Sequence, residues 1–357
     1  MIVALYSDLH AHPYNNGTLL EHGTNSRVQD AVSVIRQVYS YAVEHDLDYV
    51  FFGGDLFDRR KAIDVDTYNK IHEVVQECSR SVTTIMIPGN HDQANKSGTI
   101  HALERFQSDS CTVVSEPGWH CLIDDVWLFA VPYYDDGVLI AQYVTEGLKR
   151  KPEGKRHLLL IHYGVEGARI GPSDYVLPCE LKLPMLCPEE WDVIFSGHYH
   201  IGQQLGDNFH YIGSAMQHRW DDVGFEKTFV VYDAKDGSME RVPTAAPQFM
   251  EVRKSLRGKD VSNCFVRVIR KNPIKEDKKE EIEKRLKEEG AISVEFRIES
   301  DEEVSDASER ISFSESGGDY QILDDYLKSD LINTSKFDSG KLLQLGKDIL
   351  SQALEKT

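Results

Sequence analysis

Cysteine is sparse in this chain: six residues, at positions 78, 111, 121, 179, 187 and 264, and no C-x-x-C pair among them. That excludes a dense disulfide framework and a thiolate zinc site, and the expectation is reduced thiols in a cytoplasmic protein. Long apolar runs are missing as well, since no window approaches the ~20 residues of a membrane span. The first residues, MIVALYSDLH, carry no basic leader and no small-residue cleavage site, so they read as a strand and not as a signal peptide. Positive charge is also short: 40 Lys and Arg stand against 59 Asp and Glu, for a net charge of −19. Domains that bind nucleic acid unaided are generally basic. A nucleic-acid substrate would therefore need metal ions and a partner subunit to supply the positive field. Part of the acidity is local, in residues 299–319, and need not face an active site.

What remains is an ordinary globular composition, 41% hydrophobic and 28% charged, in a chain of 357 residues, long enough for a sizeable core and more than one unit. Residues 1–247 repeat one arrangement, a short apolar run followed by a polar cluster. IVALY runs into SDLH, YVFF into GGDLFD, TTIMI into PGNHD, HLLLI into HYG, and DVIF into SGHYH. Helical spacing marks 26–45, through Val28, Ala31, Val32, Ile35, Val38, Tyr39 and Ala42, and 66–79, through Tyr68, Ile71, Val75 and Cys78. Strands alternating with amphipathic helices predict an α/β layered domain. Each His, Asp or Asn cluster follows the carboxyl end of a strand, the edge at which open α/β sheets place ligands. Five clusters at equivalent positions are expected to converge on one site.

Residues 248–298 change texture, with strands over 265–271 and 291–298 about a charged helix over 276–289, a small β-α-β unit. Residues 299–319 (ESDEEVSDASERISFSESGGD) read as an acidic linker. Residues 320–357 regain helical periodicity in two stripes, one led by Ile322 and Leu323, the other by Leu342 and Leu343. Two such helices cannot build a core alone, so they dock on the body or enter a partner's groove.

The clusters carry metal chemistry. Asp8-x-His10 and His198-x-His200 would each put two side chains on one side of an extended segment. Asp55, after two glycines, is placed to bridge two ions, with Asn90 adding an amide oxygen and His162 an imidazole. Sorted by spacing, Asp8, His10, Asp55 and His200 would hold one metal, and Asp55, Asn90, His162 and His198 the other. Mixed imidazole and carboxylate sets suit Mn, Fe or Zn better than Mg or Ca. His91 is adjacent to a ligand without being needed as one, and is the candidate to protonate the leaving oxygen. Taken singly, each cluster could be a capped turn or a solvated strand edge; five in order leave that reading little room.

The ordered set SDLH, GGDLFD, GNHD, IHYG and GHYH resembles the calcineurin-like metallophosphoesterase superfamily over residues 1–200. The resemblance implies the same seven ligands, His91 as the catalytic histidine, and an α/β (α+β) four-layer β-sandwich of two mixed sheets flanked by helices. That superfamily hosts phosphatases, nucleotidases, cyclic phosphodiesterases and nucleases. GGDLFDRRKAI is similar to the second motif of SbcD-type DNA repair nucleases, above all the recombination endonuclease subunit of T-even-like bacteriophages. This implies 3′→5′ exonuclease activity on duplex DNA and single-strand endonuclease activity with two Mn²⁺ ions. It also implies a DNA-capping domain over 248–298, a homodimer through helices in the first third, and an SMC-like, SbcC-type ATPase partner bound through 320–357. Arg59, Arg60 and Lys61, just after the bridging aspartate, are candidate backbone-phosphate contacts, or simply a solvated cluster. The chain departs from some relatives in carrying Asp58 where they have a histidine, so a strand-positioning role is not carried over; His12 also lies outside the usual pattern and reads as a surface residue. The alternatives are a small-molecule phosphatase or nucleotide phosphodiesterase, favoured by the acidic charge, and a structural subunit with a vestigial site, disfavoured by the complete ligand set.

Overall fold

Alternation along the first strand, β1 (Ile2–Tyr6), shows how the layers form. Val3 and Leu5 face one way, Ala4 and Tyr6 the other, and all four are fully buried. The strand is therefore covered on both faces, as its unbroken apolar sequence predicts. The computed structural model describes residues 1–299 apart from 96, 97, 99, 170, 172–178 and 254–258. Most of the acidic linker (300–319) and the whole helical tail (320–357) lie outside the described residues.

Helix α1 (Ser26–Glu44) leads to β2 (Tyr49–Phe52), and α2 (Val65–Ser79) to β3 (Thr83–Met86) and β4 (Cys111–Val113). Then come β5 (Gly118–Cys121), β6 (Val126–Val131), α3 (Gly137–Leu148), β7 (Arg156–His162) and β8 (Val193–Gly197). The chain continues through β9 (Gln203–Leu205), β10 (Phe209–Tyr211), β11 (Thr228–Asp233) and β12 (Met239–Pro243). These strands form two six-stranded sheets, in the orders β12-β11-β1-β2-β3-β4 and β5-β6-β7-β8-β10-β9. In the first, β1 to β4 run parallel, β11 pairs antiparallel with β1 and β12 antiparallel with β11; in the second, β6, β7, β8 and β10 are parallel, edged by antiparallel β5 and β9.

The sheets pack face to face through Val3, Leu5, Phe51 and Ile85 of the first against Leu128, Leu158, Leu160 and Phe195 of the second. The outer face of the first sheet (Ala4, Tyr6, Val50, Phe52) is covered by Ala31, Ile35 and Val38 of α1 and by Ile71 and Val75 of α2. The outer face of the second (Phe129, Leu159, Ile161) meets Ile140 and Val144 of α3. The result is the four-layer mixed sandwich, helix on sheet on sheet on helix. Helices α1 and α2 begin on side-chain caps: Asn25 accepts from the Arg27 N–H at 2.9 Å, and Asp64 from the Thr67 N–H at 2.9 Å. No described helix is long and apolar enough to cross a membrane.

A third sheet follows, all parallel, in the order β13 (Gln248–Val252), β14 (Cys264–Arg270), β15 (Ser293–Ile298), with α4 (Glu276–Glu288) as the crossover between the last two. Periodicity located β14, α4 and β15; β13 was missed because QFMEV alternates over too short a stretch to stand out. Leu286 is the one fully buried residue of α4 and packs among Val266 and Val268. Arg27 anchors this sheet to α1. Its buried guanidinium pairs with Asp30 at 2.9 Å, bonds the Gln217 carbonyl, and lies over the rings of Phe249 and Phe265 at 5.8 and 5.1 Å.

Candidate active site

Five strand ends deliver the site: β1 and β2 end just before Asp8 and Asp55, β3 before Asn90, β7 on His162, and β8 before His198. Two sheets thus meet at one edge, and the ligands are drawn from both. The Asp8-x-His10 segment is not extended as its spacing predicted. Asp8 and His10 sit at φ 52° and 45°, Asp55 at 61° and His198 at 89°, all left-handed. The chain turns sharply at each of these four residues, so their shared facing comes from the turns and not from strand alternation. Such conformations cost on the order of 1–3 kcal/mol per non-glycine residue, and surrounding bonds must hold them. Those bonds are present: the amides of Asp8, His10 and Ala11 donate to the carbonyls of Gly54, Asp55 and Leu56 at 2.9, 3.0 and 2.8 Å. Glycine is obligatory at 89, where a Cβ would collide with the Asp55 carboxylate, and at 54, where φ is +100° and a Cβ would strike His162 Nδ1.

One acceptor set groups Asp8, His10 and His200. His10 Nε2 lies 3.1 Å from His200 Nε2, 4.0 Å from Asp8 Oδ1 and 3.6 Å from Asp55 Oδ2. The other set groups Asn90, His162 and His198: Asn90 Oδ1 lies 3.1 Å from His162 Nε2 and 3.0 Å from His198 Nδ1, and His162 Nε2 lies 3.4 Å from Asp55 Oδ2. Asp55 Oδ2 therefore stands between the sets, where a bridging ligand belongs.

The protonation pattern fits cations. His162 Nδ1 donates to the Gly53 carbonyl at 2.6 Å, so Nε2 is the nitrogen facing Asp55 and Asn90, and it offers a lone pair there once its proton is lost. The Asn90 amide fits either way round. With its oxygen inward it completes an acceptor triangle; reversed, its NH₂ can donate to His198, His162 and Asp55 at 3.0, 3.1 and 3.3 Å. Converging lone pairs of amide, imidazole and carboxylate are the donor set of a borderline divalent cation. Burial keeps His10 and His200 below their usual range, and burial with the nearby His162 charge pushes His198 down to about 3. These three rings are neutral, as ligands must be. His162 goes the other way: burial opposes its charging, but the Asp55 carboxylate and its hydrogen bond drive it up to about 9. Burial would raise Asp55, yet His162, His10 and His91 together hold it well below the carboxylate range.

A consequence is measurable. A cation at His162 must displace the proton held there, so affinity should climb about tenfold per pH unit toward pH 9 and then level off. Calorimetric titration with Mn²⁺ in buffers of different ionisation enthalpy should count one proton released at pH 7; a count of zero would contradict the arrangement.

His91 lies beside the candidate ligands: its ring is edge-on to that of His10 at 4.8 Å, and it forms a further potential metal-holding group with His10 and Asp55. Its backbone N–H donates to Asp55 Oδ1 at 2.7 Å, and its Nδ1 donates to the Asp58 carbonyl at 2.6 Å. Nε2 is thereby the free ring nitrogen, and the ring lines a cavity of about 250 Å³ together with His10, His200 and His218. Asp58 also lines it and accepts from the Tyr14 hydroxyl at 3.2 Å, with Oδ1 3.8 Å from His10 Nδ1. His12 is half-buried against Tyr14. Arg59, Arg60 and Lys61 are all exposed; Arg59 lies 3.6 Å from Asp58 Oδ2, and Arg60 reaches the Asn90 amide oxygen at 3.2 Å when that amide is reversed.

Several supporting residues escaped the sequence reading. Asp92, last residue of GNHD, accepts from the backbone N–H groups of Asp55, Leu56, Phe57 and Gly89 at 2.8, 2.9, 3.1 and 3.0 Å. Behind the first set, His218 Nε2 donates to the Asp8 carbonyl at 3.0 Å, and Lys227 Nζ bridges the His200 carbonyl at 3.1 Å and Asp222 Oδ1 at 2.6 Å. Nothing in QHRWDDVGFEK distinguishes that segment from a solvated loop; only the fold reveals its partners.

Residues 1–202 match the family model described as Calcineurin-like phosphoesterase. A phosphoesterase-like protein, 078R, of Invertebrate iridescent virus 3 is 24% identical over 287 residues, covering 76% of this chain and 80% of its own length. The DNA double-strand break repair protein Mre11 of Sulfurisphaera tokodaii is 24% identical over 188 residues, 50% of this chain and 45% of that protein, so the match spans less than half of the repair protein. Among solved structures, a dimetal phosphatase from Danio rerio aligns with a TM-score of 0.41 at 12% identity, over 65% of this chain and 91% of that one.

Proposed function

Because the chain belongs to the calcineurin-like phosphoesterase family, and so is a metal-dependent phosphoesterase by kind, we propose that its substrate is DNA. On this reading it is a Mn²⁺-dependent nuclease, exonucleolytic 3′→5′ on duplex and endonucleolytic on single strands. It would be the nuclease half of a complex with an SMC-like ATPase in double-strand break processing and recombination, related to the SbcD-type and T-even phage subunits. The carrying observation is Asp55 Oδ2, 3.6 Å from His10 Nε2 and 3.4 Å from His162 Nε2, between two acceptor sets that open beside His91.

Two divalent cations bound there would supply the Lewis acidity for in-line attack on a phosphodiester. The chain's own part is orientation and proton transfer. Asp55 is fixed through both carboxylate oxygens, Oδ1 by the His91 N–H and Oδ2 among the imidazoles. His91, its Nδ1–H tied to the Asp58 carbonyl, turns Nε2 toward the cavity, the position from which a proton would pass to the leaving oxygen. The similarity to Mre11 supports DNA as substrate, and Arg59 and Arg60 at the rim supply charge for a phosphate backbone.

Purified chain incubated with Mn²⁺ and end-labelled duplex should release nucleotides. No cleavage even with a partner ATPase, alongside efficient turnover of a small phosphodiester, would instead support the small-molecule reading that the net charge of −19 favours. The ATPase is proposed to bind through residues 320–357, and a pull-down with and without that segment tests it. A homodimer is proposed on the same resemblance.

A further inference from the structure

We propose that Arg219 receives a second phosphate of the substrate, distinct from the one undergoing attack, and that the small third sheet holds it in position. This rests on the phosphodiesterase reading above and names what the substrate must carry beyond its reacting group.

Arg219 is the one lysine or arginine among the described residues lining the cavity that contains His10, His91 and His200. Three acids line that cavity, Asp58, Asp221 and Asp222, and among the described residues none forms an ion pair with Arg219. Asp222 is taken by Lys227 at 2.6 Å and by the backbone N–H groups of His218 and Arg219 at 2.9 and 3.2 Å, and Asp58 faces Tyr14. Among the described residues no carboxylate pairs with the Arg219 guanidinium. Arg59, by contrast, has Asp58 as its neighbour. A free arginine facing a hydrolytic cavity is suited to bidentate recognition of a phosphate.

Its backbone is held from both sides. Before it, His218 is bonded to the Asp8 carbonyl, which ties the position of Arg219 to a metal ligand. Gln217 is fixed by four bonds: its carbonyl accepts from Arg27, its Oε1 accepts from the Phe249 N–H at 2.5 Å, and its Nε2 donates to the Asp222 and Phe225 carbonyls at 3.0 Å each. After it, Trp220 lies under the Arg267 guanidinium at 3.8 Å and edge-on to Phe249 at 4.9 Å. Phe249 and Arg267 belong to β13 and β14, so the third sheet reaches the cavity through this loop. An exposed arginine has much side-chain entropy to lose on binding, and a rigid backbone reduces the loss. Arg219 would thus be a binding residue, with Trp220 and Arg267 as positioning residues.

The test compares p-nitrophenyl esters of thymidine 5′- or 3′-phosphate with the same esters bearing an additional phosphate on the other hydroxyl. Wild-type full-length chain with Mn²⁺ should prefer at least one doubly phosphorylated ester by tenfold or more in kcat/KM, mainly through KM. In Arg219→Ala that preference should fall to near one, Arg219→Lys should keep part of it, and Arg267→Ala should lower it. In EDTA, anisotropy of a labelled oligothymidylate should show the slope of log Kd against log salt reduced by about 0.7 in Arg219→Ala. No preference in wild type, a preference that persists in Arg219→Ala, or an unchanged salt slope would overturn the proposal. Failure of wild type to degrade oligothymidylate would instead count against the nuclease reading, since the preference for a second phosphate is read on the small esters.

Discussion

Replacement of His91 by alanine is expected to lower kcat by about 10²–10⁴-fold while both cation sites still load. The reason lies in how the residue is divided. Its main chain serves the ligands, through the N–H that holds Asp55 Oδ1 at 2.7 Å, and alanine keeps that bond. On the proposed reading its side chain would serve the reaction, because Nδ1 is committed to the Asp58 carbonyl and Nε2 is left toward the cavity. The loss should be smaller on a p-nitrophenyl ester than on a DNA phosphodiester, since a good leaving group needs less protonation. Kinetics on both substrates, with a calorimetric count of bound Mn²⁺, separates the roles. Unchanged rates, or loss of one bound ion with the rate, would contradict the assignment.

Asp92→Ala is expected to have the largest effect on stability. Its two oxygens take four buried N–H groups from two different loops, the GGDLFD turn and the PGNHD turn. Each orphaned buried donor costs about 1–3 kcal/mol, and partial relaxation brings the sum to the order of 4 kcal/mol. Asp92→Asn should fail as well, because its NH₂ would face two of those donors. Burial and the Asp55 charge push the Asp92 carboxyl up to about 7, while the backbone donors pull it down. We hold it to be ionised, because each oxygen already faces two N–H groups and a proton would find no acceptor. Urea denaturation of the metal-free protein reads the cost directly. A loss under about 1 kcal/mol would show that the two turns hold their shape without this carboxylate.

Much of this architecture was legible because local signals and burial agreed. Helices expected over 26–45 and 66–79 occur at Ser26–Glu44 and Val65–Ser79, where apolar spacing and the Asn25 and Asp64 caps coincide. The strand ends were legible for the same reason, and the structure brings Asp8, His10, Asp55, Asn90, His162, His198 and His200 together there. The division into two sheets was not visible in the apolar pattern. A strand buried on both faces reads alike in a doubly wound sheet and in a sandwich, so that expectation came from family resemblance. The left-handed turns at Asp8, His10 and His198 escaped because spacing alone cannot separate a strand from consecutive bends. His218, Asp222 and Lys227 escaped because their partners, such as the Asp8 and His200 carbonyls, are backbone atoms that no side-chain pattern encodes.

The convergence of ligands from both sheets also bears on how the protein is made. The His198 N–H meets the Asp8 carboxylate across 190 positions of chain, and β1 gains its neighbour β11 only once residues 228–233 exist. Synthesis proceeds from the amino terminus, and a chain stopped short of His162 carries Asp8, His10, Asp55 and Asn90 without the three later imidazoles. Such a fragment holds one imidazole ligand and half a scaffold. A metal-dependent phosphoesterase built this way is thus expected to stay inert on the ribosome until nearly all of its two-sheet body has emerged.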